Sequence, residues 1–134
     1  MSKKGSLAFL ALILSAMCLP AASIYAWQRS QPSPEDAAVR KTLDYLLNSP
    51  TFRFDGLSDS VKVVGVTKSM TYAQPSFWIV TVEFECSHGG YGDRSGQMVT
   101  QLIQHHTAVI HVSEGRVIMA VFDGVWDELA GKMI

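Results

Sequence analysis

The sequence predicts an α+β fold, a single helix packed on a four-stranded antiparallel sheet, and three observations carry that expectation. One segment repeats its apolar residues at helical spacing between clear start and stop residues. Four later segments alternate with a period of two, as half-buried strands do. The two kinds of segment are segregated along the chain, which argues against an interleaved parallel α/β sheet.

The first element precedes the fold. Leu7 to Trp27 is a run of 21 residues without a charge, long enough to cross a hydrocarbon core of about 30 Å as a helix. Lys3 and Lys4 before it, against Arg29 alone after it, favour a cytoplasmic N-terminus with the rest of the chain outside. Tyr25 and Trp27 suit the interfacial belt at its far end. A cleaved secretory signal is the alternative, with Ala21-Ala22-Ser23 or Ile24-Tyr25-Ala26 as the small-residue site. A lipoprotein signal ending at Cys18 is a third reading, disfavoured by the bulky Met17. All three place the remainder outside the cytoplasm: a single-pass membrane protein, or a secreted one after cleavage. The expected layout is a membrane segment over 1–27, a linker over 28–33 and one domain over 34–134.

The chain carries 11 Lys and Arg against 12 Asp and Glu, and without Lys3 and Lys4 the balance is more acidic still. With no basic run, nucleic acid is not an expected partner. Cys18 lies in the apolar run and Cys86 stands alone in the domain, so no internal disulfide is available.

Within the domain, Ser33, Pro34 and Asp36 read as an N-cap, a first-turn proline and a capping box. Val39, Leu43, Leu46 and Leu47 follow at helical spacing, and Asn48-Ser49-Pro50 stops the helix. VKVVGVTKSM (61–70) sets Val61 and Val63 against Val64 and Val66, with Gly65 marking a bulge or close approach. FWIVTVEFEC (77–86) puts Trp78, Val80, Val82, Phe84 and Cys86 on one face and Ile79, Thr81, Glu83 and Glu85 on the other. HTAVIHV (106–112) and RVIMAVFD (116–123) are joined by Glu114-Gly115, a two-residue hairpin signal. A single helix wrapped by a curved antiparallel sheet is the cystatin-like or PepSY-like arrangement, with NTF2-like as the alternative; the analogy concerns fold, and fold assigns no function.

The stretch ECSHGGYGDRSGQ (85–97) interrupts this pattern between the second and third strands. Its glycines permit conformations and close approaches that side chains forbid, and compact loops of this size are often functional. Asp93 and Arg94 either clasp the loop's own backbone or face a partner. A phosphate cradle is rejected: no Lys or Ser/Thr follows at P-loop spacing, and no helix opens after the glycines. His88 and His106 flank the excursion and, with Asp93, are the ligand types of a small metal or catalytic site. Two or three such ligands are fewer than a closed structural site uses. Ser87 or Ser95 supplies a nucleophile type, with no sign of an oxyanion hole. Glu83 and Glu85 are better explained as a solvated strand face, and Cys86 as a packed, inert thiol. Trp126, after the Asp123-Gly124 turn, either plugs the core or offers a contact platform.

HGGYGDRSGQ followed by HTAVIHVSEGRVIMAVFDGVWDE resembles a family of small membrane-anchored or secreted proteins common in archaea. Its members carry an HxGYGDRxGQ loop and a C-terminal DGxW, and often N-S-P-T-F and F-D-G, present here as Asn48–Phe52 and Phe54–Gly56. Members with C-P-x-C-W have cysteines where this chain has Gln74 and Phe77, and His105 stands where they tend to have proline. The resemblance implies the location and marks the loop as a signature, and implies no reaction. The functional expectation is a membrane-anchored extracytoplasmic binding module that meets a protein or small-ligand partner through residues 87–97. The candidate contact residues are His88, Tyr91, Asp93, Arg94, Gln97, His106 and Trp126. No catalytic set, metal site or cofactor is assigned; a small enzyme or metal protein built on His88, Asp93 and His106 is the alternative.

Overall fold

The computed structural model describes residues 31–70 and 75–134, and the apolar run at 7–27 with its three readings lies outside the described residues. The elements below all belong to the unit Ser33–Ile134. Helix α1 covers Pro34–Asn48, and Ser33 and Asp36 form the capping box at its start. A second short helix, α2, covers Pro50–Asp55. Six strands follow: β1 Gly56–Ser69, β2 Phe77–Cys86, β3 Gln104–Ser113, β4 Arg116–Phe122, β5 Trp126–Asp127 and β6 Lys132–Met133. They form one antiparallel meander in chain order.

This corrects the expected one helix on four strands, and with it the cystatin-like, PepSY-like and NTF2-like assignments. The stop at Asn48-Ser49-Pro50 ends α1 at Asn48 as expected, and the second helix, which was not expected, is opened by Pro50. Its missing N–H costs nothing in a first turn, and the Ser49 hydroxyl caps the new helix by accepting from the Phe52 N–H. The two extra strands have two residues each, too few to show any alternation. Among the described residues no helix is long and apolar enough to cross a membrane.

The core lies between α1 and one sheet face. Val80, Val82, Phe84 and Cys86 of β2 pair laterally with Ile110, Ala108, His106 and Gln104 of β3. Ala120 and Phe122 of β4 continue two of those rows, and all of these except Gln104 are fully buried. On α1 the buried line is Ala38, Thr42 and Leu46, one residue round from the expected stripe, with Leu47 left 44% exposed. Small residues at two of those three positions let the helix approach the sheet closely. Truncating Leu46 to Ala would cost about 2–5 kcal/mol, the range for buried leucines.

In β1 a register shift between Val63 and Gly65 inserts an extra residue and resets the alternation. Val61, Val63 and Val66 therefore all pack against the core, whereas Val64 is exposed. Expecting Val66 opposite Val63 missed this reset. At the β3–β4 turn Glu114 and Gly115 both take positive φ, the signature of a hairpin turn matched to strand twist.

Candidate functional site

The loop between β2 and β3 is held down by three carboxylates contributed from outside it. The first is Asp55, the last residue of α2, whose Oδ1 accepts a hydrogen bond from the Arg94 Nη2. The Arg94 side chain is 3% exposed and that of Asp55 is 9% exposed, so this ion pair is largely desolvated. Arg94 Nη1 also donates to the Gly90 carbonyl at 2.7 Å, and its guanidinium stacks 4.6 Å from the Phe54 ring centroid. His88 Nδ1 lies 2.9 Å from the other Asp55 oxygen. Gly90 has φ 101, and a Cβ there would sit 2.9 Å from Arg94 Cδ. Glycine is thus what lets Arg94 fold back beneath its own loop. Cys86 borders this pair; burial, then the Asp55 carboxylate, push its thiol pKa up to about 12.

The second carboxylate is Glu128, 5% exposed. Its Oε1 accepts the Thr51 backbone N–H at 2.8 Å, and its Oε2 accepts the Thr51 hydroxyl at 2.7 Å. The Trp126 indole N–H donates to the same Oε2. Thr51 Oγ1 in turn accepts the Gly92 N–H at 2.7 Å, tying the loop to the start of α2. A Cβ on Gly92 would come within 3.2 Å of Trp126, so loop and indole meet in direct contact.

Asp123 is the third. Its Oδ2 accepts the Tyr91 hydroxyl at 2.8 Å and lies 2.7 Å from His106 Nδ1. Its Oδ1 accepts the Thr107 N–H at 2.7 Å. Burial raises the Asp123 pKa, but the Thr107 N–H, His106 and Tyr91 together outweigh it and hold the carboxyl below its ordinary value. The Tyr91 hydroxyl is pushed up to about 12, by burial first and then by its bond to Asp123. The Tyr91 ring stacks on Trp126 with centroids 5.5 Å apart and an interplanar angle of 11°. His106 Nε2 is buried and has no hydrogen-bond partner among the described residues. This assigns the Nδ1–H tautomer, which donates to Asp123 and leaves a lone pair at Nε2, cheaper to bury than an orphan N–H.

The expected contact residues thus fall into three groups. Tyr91, His106 and Trp126 gather around Asp123 and Glu128, while His88 and Arg94 gather on Asp55. Asp93 and Gln97 stay on the surface. Asp93 and Arg94 point to different places. Asp93 Oδ1 accepts the Ser95 hydroxyl at 2.5 Å and the Ser95 N–H at 3.0 Å, and those bonds lower its pKa. His88, Asp93 and His106 have separate partners, and among the described residues no group of three His, Cys, Asp or Glu could hold a metal ion.

Sequence reasoning singled out neither Asp55, Thr51 and Glu128 nor Asp123 as a site residue. A signal existed: Thr51 lies in the N-S-P-T-F stretch, Asp55 in F-D-G, and Asp123 and Trp126 in D-G-V-W. Those short motifs are the pieces that contact the loop. Beside the loop runs an open groove lined by Asn48, Pro50, Arg53, Phe54, Asp93 and Ser95. No protein-family model matches the chain, and no curated protein or solved structure matches it.

Proposed function

We propose that the chain is a small extracytoplasmic binding module, held at the membrane by residues 7–27, that receives a protein partner in the groove beside the glycine-rich loop. The observation that supports this best is how the polar groups divide. Inside, Arg94, Tyr91, His106, Thr51 and Trp126 are engaged by Asp55, Asp123 and Glu128. Outside, Arg53 is exposed with no ion-pair partner among the described residues, and among them Asp93 Oδ2 makes no hydrogen bond. The groove therefore offers an unspent cation and an unspent carboxylate oxygen on walls already fixed by buried bonds. A partner binding there does not meet the entropy cost of ordering the loop. Arg94 and Asp93 both bond the loop's own backbone, at the Gly90 carbonyl and the Ser95 N–H, and on this reading the exposed Asp93 also meets the partner.

Site-specific photo-crosslinking in native membranes tests the reading. A crosslinker at Ser95 is expected to capture a discrete partner that Arg53→Glu abolishes, and one at Glu35 on α1 is not. Equal capture from both positions, or capture indifferent to Arg53→Glu, would sink it. The enzyme or metal alternative has less support, because His106 is fully buried and its Nδ1 is committed to Asp123.

A further inference from the structure

Strand β1 runs 14 residues and stands at one end of the strand order. Among the described residues β2 pairs with one of its sides and no strand pairs with the other. The direction of its backbone groups follows from β2. The Glu85 N–H donates to Ser60 Oγ at 2.8 Å and the Ser87 N–H to the Asp55 carbonyl at 3.1 Å. Odd-numbered residues of β2 thus turn toward β1, and even-numbered ones turn toward β3, where the register is unbroken. Val82, Val80 and Trp78 lie opposite Val63, Val66 and Lys68, and partners in such a pair turn their backbone groups away from each other. The N–H and C=O groups of Val63, Val66 and Lys68 therefore point out from the edge of the sheet. Natural edges are kept short or covered, because such a row is a template for another strand.

This edge is complementary to itself. Let two copies of β1 run antiparallel about a two-fold axis between Val63 and Val64. Val63 then faces Val64, Val61 faces Val66 and Asp59 faces Lys68, each pair occurring twice, while Lys62 falls opposite Gly65. The bulge between Val63 and Gly65 moves the outward-turning set from odd to even positions, as this register requires, since its partners have opposite parity. Val64 is 44% exposed. Asp59 and Lys68 are exposed, and among the described residues neither forms an ion pair. Neighbouring registers lack this match: centring on Lys62 sets that lysine against its own copy, and centring on Gly65 sets Lys62 against Lys68. Like charges directly opposite destabilise a strand pair, whereas opposite charges and β-branched pairs stabilise it. An arbitrary extended peptide asks only for the outward backbone row; charges matched at both ends of one antiparallel register are what a second copy requires. We propose that β1 is a self-association edge, where two copies of this chain join antiparallel through Asp59–Lys68 and Val61–Val66 pairs into one continuous sheet.

The test uses the full chain in mild detergent, with the dimer dissociation constant measured by sedimentation velocity at low salt, where charge pairs are least screened. Lys68→Asp and Asp59→Lys each set like charges opposite one another twice per dimer, and each should raise that constant at least ~5-fold. Asp59→Lys combined with Lys68→Asp restores the opposite pairs and should return it to within ~2-fold of the parent, which also shows that neither change acts by unfolding the chain. Amide exchange at Val66 and Lys68 should slow as rising concentration carries the chain into the dimer, while Val80, already bonded to β3, stays unchanged. A chain still monomeric at ~100 μM would overturn the proposal, whether or not the edge accepts some other strand. So would a dimer indifferent to the single changes, the result expected of association through residues 7–27, or a dimer weakened by them that the double change does not restore.

Discussion

Replacing Arg94 by alanine tests the central claim that the loop is locked by buried charge. The guanidinium is 3% exposed, pairs with an Asp55 side chain that is 9% exposed, bonds the Gly90 carbonyl and stacks on Phe54. Its removal leaves Asp55 desolvated with His88 as its remaining side-chain partner. Breaking a buried pair from one side costs about 3–5 kcal/mol. At roughly 4 °C per kcal/mol for a unit of about 100 residues, the melting temperature should fall by some 12–20 °C. Thermal melts of the intact chain in mild detergent, followed by circular dichroism, read this directly. Arg94→Lys keeps the charge but loses the fork and the stack, and should fall between the two. Asp55→Ala combined with Arg94→Ala should cost less than the sum of the single changes, because the double variant strands no charge. A melting temperature within ~2 °C of the parent for Arg94→Ala would refute the buried-lock argument and return Arg94 to the contact surface.

Three further outcomes follow from the other anchors. Asp123 is held below its ordinary pKa of 3.8, so its stabilisation is complete above that pH and lost as acid carries the pH down through the folded value. Melting temperature against pH should therefore fall more steeply below 3.8 in the parent than in Asp123→Asn, and parallel acid limbs would contradict this. Glu128→Ala strands the Thr51 N–H and the Trp126 indole N–H, which should cost about 2–6 kcal/mol in urea unfolding at about 1–3 kcal/mol per buried orphan. Thr51→Val should be milder, since it leaves the Trp126 bond in place. Gly90→Ala meets both a positive φ and a Cβ contact of 2.9 Å with Arg94, and should cost upward of ~1 kcal/mol. Hydrogen exchange is expected to rise first in residues 88–97, and uniform exchange across the sheet would tell against a local loop effect.

Much of the architecture is legible residue by residue. α1 lies over Pro34–Asn48 with the capping box that Ser33 and Asp36 advertise, because a cap is a local hydrogen bond among neighbours in sequence. The face Val80, Val82, Phe84 and Cys86 is buried, as period two requires. The turns at Glu114-Gly115 and Asp123-Gly124 take the positive φ their residues permit. What failed failed for local reasons. The stop after Asn48 is legible, but a Pro that follows one helix can also open the next, and the second helix at Pro50 depends on Ser49 capping Phe52. The β1 bulge reset an alternation that the sequence shows as unbroken, and β5 and β6 are too short to have one.

The candidate site divides differently. The sequence by itself singles out the glycine-rich loop and its ionisable residues, since a run of glycine, histidine and an Asp-Arg pair between two strands is conspicuous in one dimension. It could not say which of those groups face inward. Asp93 and Arg94 are adjacent, yet one caps a surface turn at Ser95 while the other lies buried on Asp55, 39 positions away in the chain. His105 and His106 are adjacent too, and the alternation of β3 exposes the first and buries the second. Tertiary structure decided these pairings by bringing α2, the Asp123 turn and Glu128, the residue after β5, to one end of the sheet. Each supplies a carboxylate to a donor that would otherwise be buried unpaired. That cost is a property of three-dimensional surroundings, and no spacing along the chain records it.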